Sequence, residues 1–139
     1  MRVYKYTNPT YAQDIFLIIG KWSSKFMQRE FGVAMDPPAS GICAQTMHLG
    51  PDDDNVRDAP IGIWMPSFDC YSPEDTAALV HECVHAVKWT LDSRGVYQST
   101  KDKNMEVVAY PLQELVQGLL AQIFEKTNHR RKRTVRKHA

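Results

Sequence analysis

A chain of 139 residues, 43% of them apolar, with 17 Lys and Arg against 16 Asp and Glu, suits one domain with a core of its own. Its three cysteines, Cys43, Cys70 and Cys83, are odd in number and lack CxxC spacing, which argues against a disulfide framework and for a reducing compartment. Arg2 and Lys5 lead into Asn8, Thr10 and Asp14 instead of an apolar run, and the apolar string of residues 15–19 is too short to cross a bilayer; a cytoplasmic protein with no membrane partner is expected.

In chain order, residues 3–6 suit a short strand that Asn8-Pro9 ends. Residues 11–31 read as an amphipathic helix with Ile15, Ile18, Ile19, Trp22, Phe26 and Met27 on its inner face. Asp36-Pro37-Pro38 breaks the chain, and residues 42–49 alternate as a strand does. Gly50-Pro51 and the acidic run Asp52-Asp53-Asp54 form an exposed turn, without the spacing or terminal Glu of a calcium loop. Residues 61–65 form the next strand, closed by Pro66; Gly62 in it would let a peptide backbone come close, as in a strand that borders a cleft and pairs with an extended substrate.

The next helix has Ser72 as N-cap, Pro73 at its first position and Asp75 three residues after the cap, then no Pro or Gly until Gly95. Val80, Val84, Val87 and Leu91 are spaced to form one apolar stripe. Within it, His81-Glu82-Cys83-Val84-His85 spells HExxH. Side chains four apart on a helix lie one above the other, Cβ atoms about 6 Å apart, so the two imidazoles can share one metal ion. Glu82 lies about 60° round the helix from His85, within reach of a water on that metal, whereas Cys83, about 160° away, belongs to the core. Ala78, on the ligand side, leaves room above the pair. The bare pattern also arises by chance in unrelated proteins; the capped helix and flanking stripe give it weight.

Catalytic zinc takes three protein ligands and leaves one position open. The metzincin pattern needs Gly and His where this chain has Lys88 and Leu91. Instead, a second apolar-periodic helix opens at Asn104-Met105-Glu106 and reaches Phe124; Glu106 near its start can project back at the pair, with Ala109 permitting close approach. Asp92, Asp102 and Glu114 are rival ligands, and Pro111 tends to kink the helix that aims Glu106. His48, Tyr71 and Tyr110 can each donate a hydrogen bond to a tetrahedral intermediate; Tyr110, four residues after Glu106 and so on its helix face, is favoured.

His81-Glu82-x-x-His85 followed by Glu106-x-x-Ala109 resembles the small gluzincin-type metallopeptidases of the ImmA/IrrE-like and SprT-like groups, and short metallopeptidase-domain proteins encoded by bacteriophages. The resemblance covers roughly residues 72–124. It implies that His81, His85 and Glu106 hold Zn²⁺, that Glu82 is the general base and that the substrate is a protein or peptide. For a phage protein it implies the host cytoplasm. With the predicted elements it gives an α+β, minimal zincin-like fold: a small, mostly antiparallel sheet on three main helices, HExxH on the central one.

Residues 1–127 form the expected domain and 128–139 a basic, unstructured tail. Arg130, Arg131, Lys132, Arg133, Arg136 and Lys137 give that tail +6, leaving the body with 11 basic against 16 acidic residues, net −5. The tail is a candidate contact for nucleic acid through phosphates, or for the acidic body itself; no aromatic residue interleaves with it, so base stacking is not indicated. Two other classes of function fit the sequence: a catalytically idle metal-binding module acting on protein or nucleic acid through the tail, and a structural helical protein whose HExxH is accidental.

Overall fold

A computed structural model describes residues 1–50, 59–96 and 106–137, with backbone alone for the last three. The elements in order are β1 (Arg2–Thr7), β2 (Asp14–Ile19), α1 (Ser24–Phe31), β3 (Gln45–His48), β4 (Ile61–Met65), α2 (Pro73–Ser93) and α3 (Glu106–Lys137). The strands form one sheet in the order β1-β2-β4-β3. β1 and β2 pair antiparallel, β2 and β4 parallel with Ile15 opposite Ile61, and β4 and β3 antiparallel with Gln45 opposite Trp64. The protein is therefore α+β, a mixed sheet with two antiparallel pairings of three.

Residues 11–31 do not form the single helix expected of them. Residues 14–19 are the strand β2, and only Ser24–Phe31 are helical. The physical reason is that β2 lies between two strands and is covered on both faces, which demands an unbroken apolar run instead of an alternating one. Ile15, Leu17 and Ile19 face one core with Ile61, Ile63 and Met65, while Ile18 joins Met27, Met47, Leu49 and Trp64 in a second. Gly20, at φ 142°, ends the strand, and its carbonyl accepts a 2.9 Å hydrogen bond from the Trp64 indole.

The sheet is thus a middle layer. α2 and α3 cover one face through Leu79, Cys83, Val87, Leu91, Leu115, Leu119 and Ile123; α1 and the chain after it cover the other. α1 is short but capped at both ends, by the Ser23 hydroxyl accepting from the Phe26 N–H and by Gly32 in the left-handed region. α3 lies close against β1: a Cβ on Gly118 would stand 2.7 Å from the Tyr6 ring, and Gln122 donates a 2.8 Å hydrogen bond to the Lys5 carbonyl.

α3 runs through Pro111 and on to Lys137. Pro111 removes the donor for the Val107 carbonyl, but Val107 is exposed and solvent can take that place. Residues 128–137, expected to be an unstructured tail, continue this helix. No described helix is long and apolar enough to cross a membrane.

Candidate metal centre

α2 starts as its sequence predicts. The Ser72 hydroxyl accepts from the Asp75 N–H, Pro73 occupies the first turn, and Gly95 follows the end at φ 68°. Its buried face, however, is rotated from the expected valine stripe. Leu79, Cys83, Ala86, Val87, Thr90 and Leu91 are buried, whereas Val84 is 40% exposed. Cys83 sits in the core as anticipated; burial, and then the neighbouring Glu82 carboxylate, push its thiol up to about 12, so it is no nucleophile near neutrality.

With Cys83 inward, His81 and His85 face outward and are exposed. Their Nε2 atoms approach to 3.2 Å, with ring centroids 4.9 Å apart and planes inclined by 72°. Two nitrogens bound to a tetrahedral zinc at about 2.0–2.1 Å stand roughly 3.3 Å apart. The pair therefore has the separation that two ligands of one zinc require, and it converges through Nε2, the atoms a metal would take.

Glu82 is the buried member of the motif, 8% exposed. It points toward β3, where the Thr46 hydroxyl lies 2.6 Å from its Oε2 and 3.1 Å from its backbone carbonyl. Among the described residues β3 is the end strand of the sheet, paired only with β4. Its last residue, His48, stacks on Trp89 of α2 at 4.2 Å and 13°, one turn beyond His85. The strand bordering the motif is thus β3. β4, expected in that role, is paired on both sides, and Gly62 serves packing: a Cβ there would stand 2.9–3.1 Å from the Leu49 side chain.

The structure does not gather the other candidates around the imidazoles. Glu106, Tyr110 and Glu114 line a cleft of about 210 Å³ with Asn8 and Tyr11, to which none of His81, Glu82 and His85 contributes. Tyr110 is exposed there, and so is Ala109, expected at a close helix contact. Asp92 pairs with Lys88 at 2.9 Å, and Tyr71 lies in the turn before α2. Asp102 is outside the described residues. Among the described residues no third His, Cys, Asp or Glu completes a metal-binding group. Thr46 went unnoticed in the sequence, because only the pairing of β3 with β4 brings it to α2.

Comparison of the chain with protein-family models, with curated proteins and with solved structures found no match.

Proposed function

We propose that the protein is a zinc-dependent metallopeptidase acting on a protein or peptide. The observation that carries this reading is the convergence of the His81 and His85 Nε2 atoms to 3.2 Å beside a buried Glu82 carboxylate. In this reading His81 and His85 would supply two ligands and a carboxylate the third, Glu106 at the start of α3 foremost. A zinc ion held there would supply a water of lowered pKa, toward ~7, and polarisation of the scissile carbonyl. Glu82 takes the proton from the attacking water and returns it to the leaving amine. Thr46 holds the Glu82 carboxylate by the 2.6 Å hydrogen bond its hydroxyl donates. The outer edge of β3, unpaired among the described residues, lines up the substrate main chain as an added strand. Three free thiols, Cys43 among them exposed, accord with a reducing cytoplasm.

Metal analysis of the purified chain beside His81→Ala tests the site, and mapping of fragment N-termini from a lysate digested by wild type and by Glu82→Gln tests the chemistry. Equimolar zinc lost in His81→Ala, with cleavage lost in Glu82→Gln, is the expected outcome. One observation favours a second reading, a metal-binding module without catalysis: Glu106 lines a cleft to which neither His81 nor His85 contributes. Full biological activity in Glu82→Gln would select it.

A further inference from the structure

At the opposite end of α3 from Glu106 lies a cavity of about 700 Å³. Its walls come from three separate parts of the chain: Arg2 of β1, Phe68 and Tyr71 of the turn before α2, and Lys126, Arg130 and Arg133 of α3. The three α3 residues are spaced i, i+4 and i+7, so one helix face carries all of them toward the cavity. One acid, Asp69, also lines it, and that carboxylate accepts the Tyr71 N–H at 2.9 Å.

Two features separate this cavity from an ordinary solvated basic helix. Among the described residues, none of Arg130, Arg131 and Arg133 is in an ion pair, although the body of the protein carries the excess of acid. Arg130 and Arg133 are thus placed to meet an outside anion. The second feature is aromatic. Tyr71 is 63% exposed, with the Arg131 guanidinium 5.5 Å from its ring centroid, and Lys126 is held over the buried Tyr4 ring at 4.4 Å. The basic run contains no aromatic residue, but the fold brings one to it.

We infer that the cavity between β1, the Phe68–Tyr71 turn and the basic end of α3 binds single-stranded nucleic acid, phosphates along Lys126, Arg130 and Arg133 and a base on Tyr71. The helix face spans about 10 Å over seven residues, and its three cations can meet about three phosphates of one strand. An exposed ring beside a cationic rail suits a strand with free base faces; a duplex keeps those faces stacked, and an acidic peptide has none to offer.

The test is fluorescence anisotropy of the full-length chain with a labelled twelve-nucleotide oligothymidylate, in low and moderate salt. Binding is expected to weaken with salt at a logarithmic slope of about −2, the value for three phosphates of a single strand. Arg130→Glu with Arg133→Glu is expected to weaken it at least tenfold and flatten that slope. Tyr71→Ala is expected to weaken it about tenfold, with Tyr71→Phe close to wild type. All of these side chains are exposed, and circular dichroism checks that each variant is folded. His81→Ala is expected to bind the oligonucleotide as wild type does, which separates this site from the metal centre. The inference is overturned by absence of binding at low salt or by unchanged affinity in Tyr71→Ala. Equal affinity for the matching duplex or for a polyglutamate peptide of similar length also overturns it.

Discussion

Thr46 and Glu82 are 36 residues apart in the chain and joined by a 2.6 Å hydrogen bond between hydroxyl and carboxylate, both residues buried. A buried carboxylate without a donor is costly, so this contact fixes where Glu82 points as well as holding β3 against α2. Removing a partner from a buried polar group costs about 1–3 kcal/mol. Thr46→Val keeps the shape and deletes the hydroxyl; it is expected to destabilise the fold by about that amount, and Thr46→Ser to restore most of it. In a Glu82→Gln background the Thr46→Val cost is expected to fall, giving a coupling of about 0.5–3 kcal/mol in a double-mutant cycle read by urea unfolding. Additive effects would mean that the contact is not formed in solution.

The metal reading makes a separable prediction. A ligand that binds only the folded state raises the midpoint of thermal unfolding with its concentration. Zinc is expected to raise the Tm of wild type and of Glu82→Gln, and to leave His81→Ala and His85→Ala unmoved. Glu106→Gln is expected to lose most of the zinc-dependent rise. If it keeps the whole rise while Asp102→Asn loses it, the third ligand is Asp102. Hydrolysis in Glu82→Gln is expected to fall about 10²–10⁴-fold, the usual contribution of a general base.

What was legible in the sequence follows the range of the interactions that decide it. The Ser72-Pro73 start of α2, the HExxH spacing and the inward Cys83 depend on neighbours within a turn or two, and each appears in the structure. Residues 15–19 were misread because an unbroken apolar run fits a helix interior or a strand covered on both faces, and only the β1 and β4 pairings distinguish them. The same blindness to strand order gave the cleft border to β4 instead of β3. The valine stripe follows from helical spacing alone, whereas packing on the sheet takes the smaller Cys83 and Ala86 and leaves Val84 40% exposed. The basic cavity draws on three distant segments, so neither the Arg130–Arg133 run nor Tyr71 announces it alone.

Gly62 provides a direct test of strand roles. It is buried in the central strand β4, and the Leu49 side chain occupies the space where its Cβ would be. Leu49 is itself buried in the cluster with Met47 and Trp64, so it has little room to give way. Gly62→Ala is expected to destabilise the protein by about 1–3 kcal/mol, the usual cost of overpacking. Zinc affinity is expected to be unchanged, because the β-strand residue hydrogen-bonded to the HExxH segment is Thr46 of β3. Unchanged stability in Gly62→Ala would contradict the packing role given to this glycine.

Asp14 links the β1–β2 edge to pH. The Thr7 hydroxyl donates a 2.6 Å hydrogen bond to its Oδ1, and the Lys5 ammonium stands 2.9 Å from its Oδ2. The Thr7 hydrogen bond, with help from Lys5 and against some loss of solvation, holds the Asp14 carboxyl below its ordinary value. A carboxyl lowered in the folded state adds stability above its unfolded pKa of about 3.9, and that stability is lost as pH falls through the lower folded value. Thr7→Val is therefore expected to unfold at lower urea than wild type at neutral pH, with the gap narrowing once Asp14 is protonated in both proteins. Lys5→Ala is expected to show a gap that also shrinks in high salt, since Lys5 is half exposed and its attraction is screened, whereas the Thr7 contribution persists. Urea midpoints for the three proteins at neutral and acid pH, in low and high salt, measure both effects. A Thr7→Val gap that widens as pH falls would contradict the assignment.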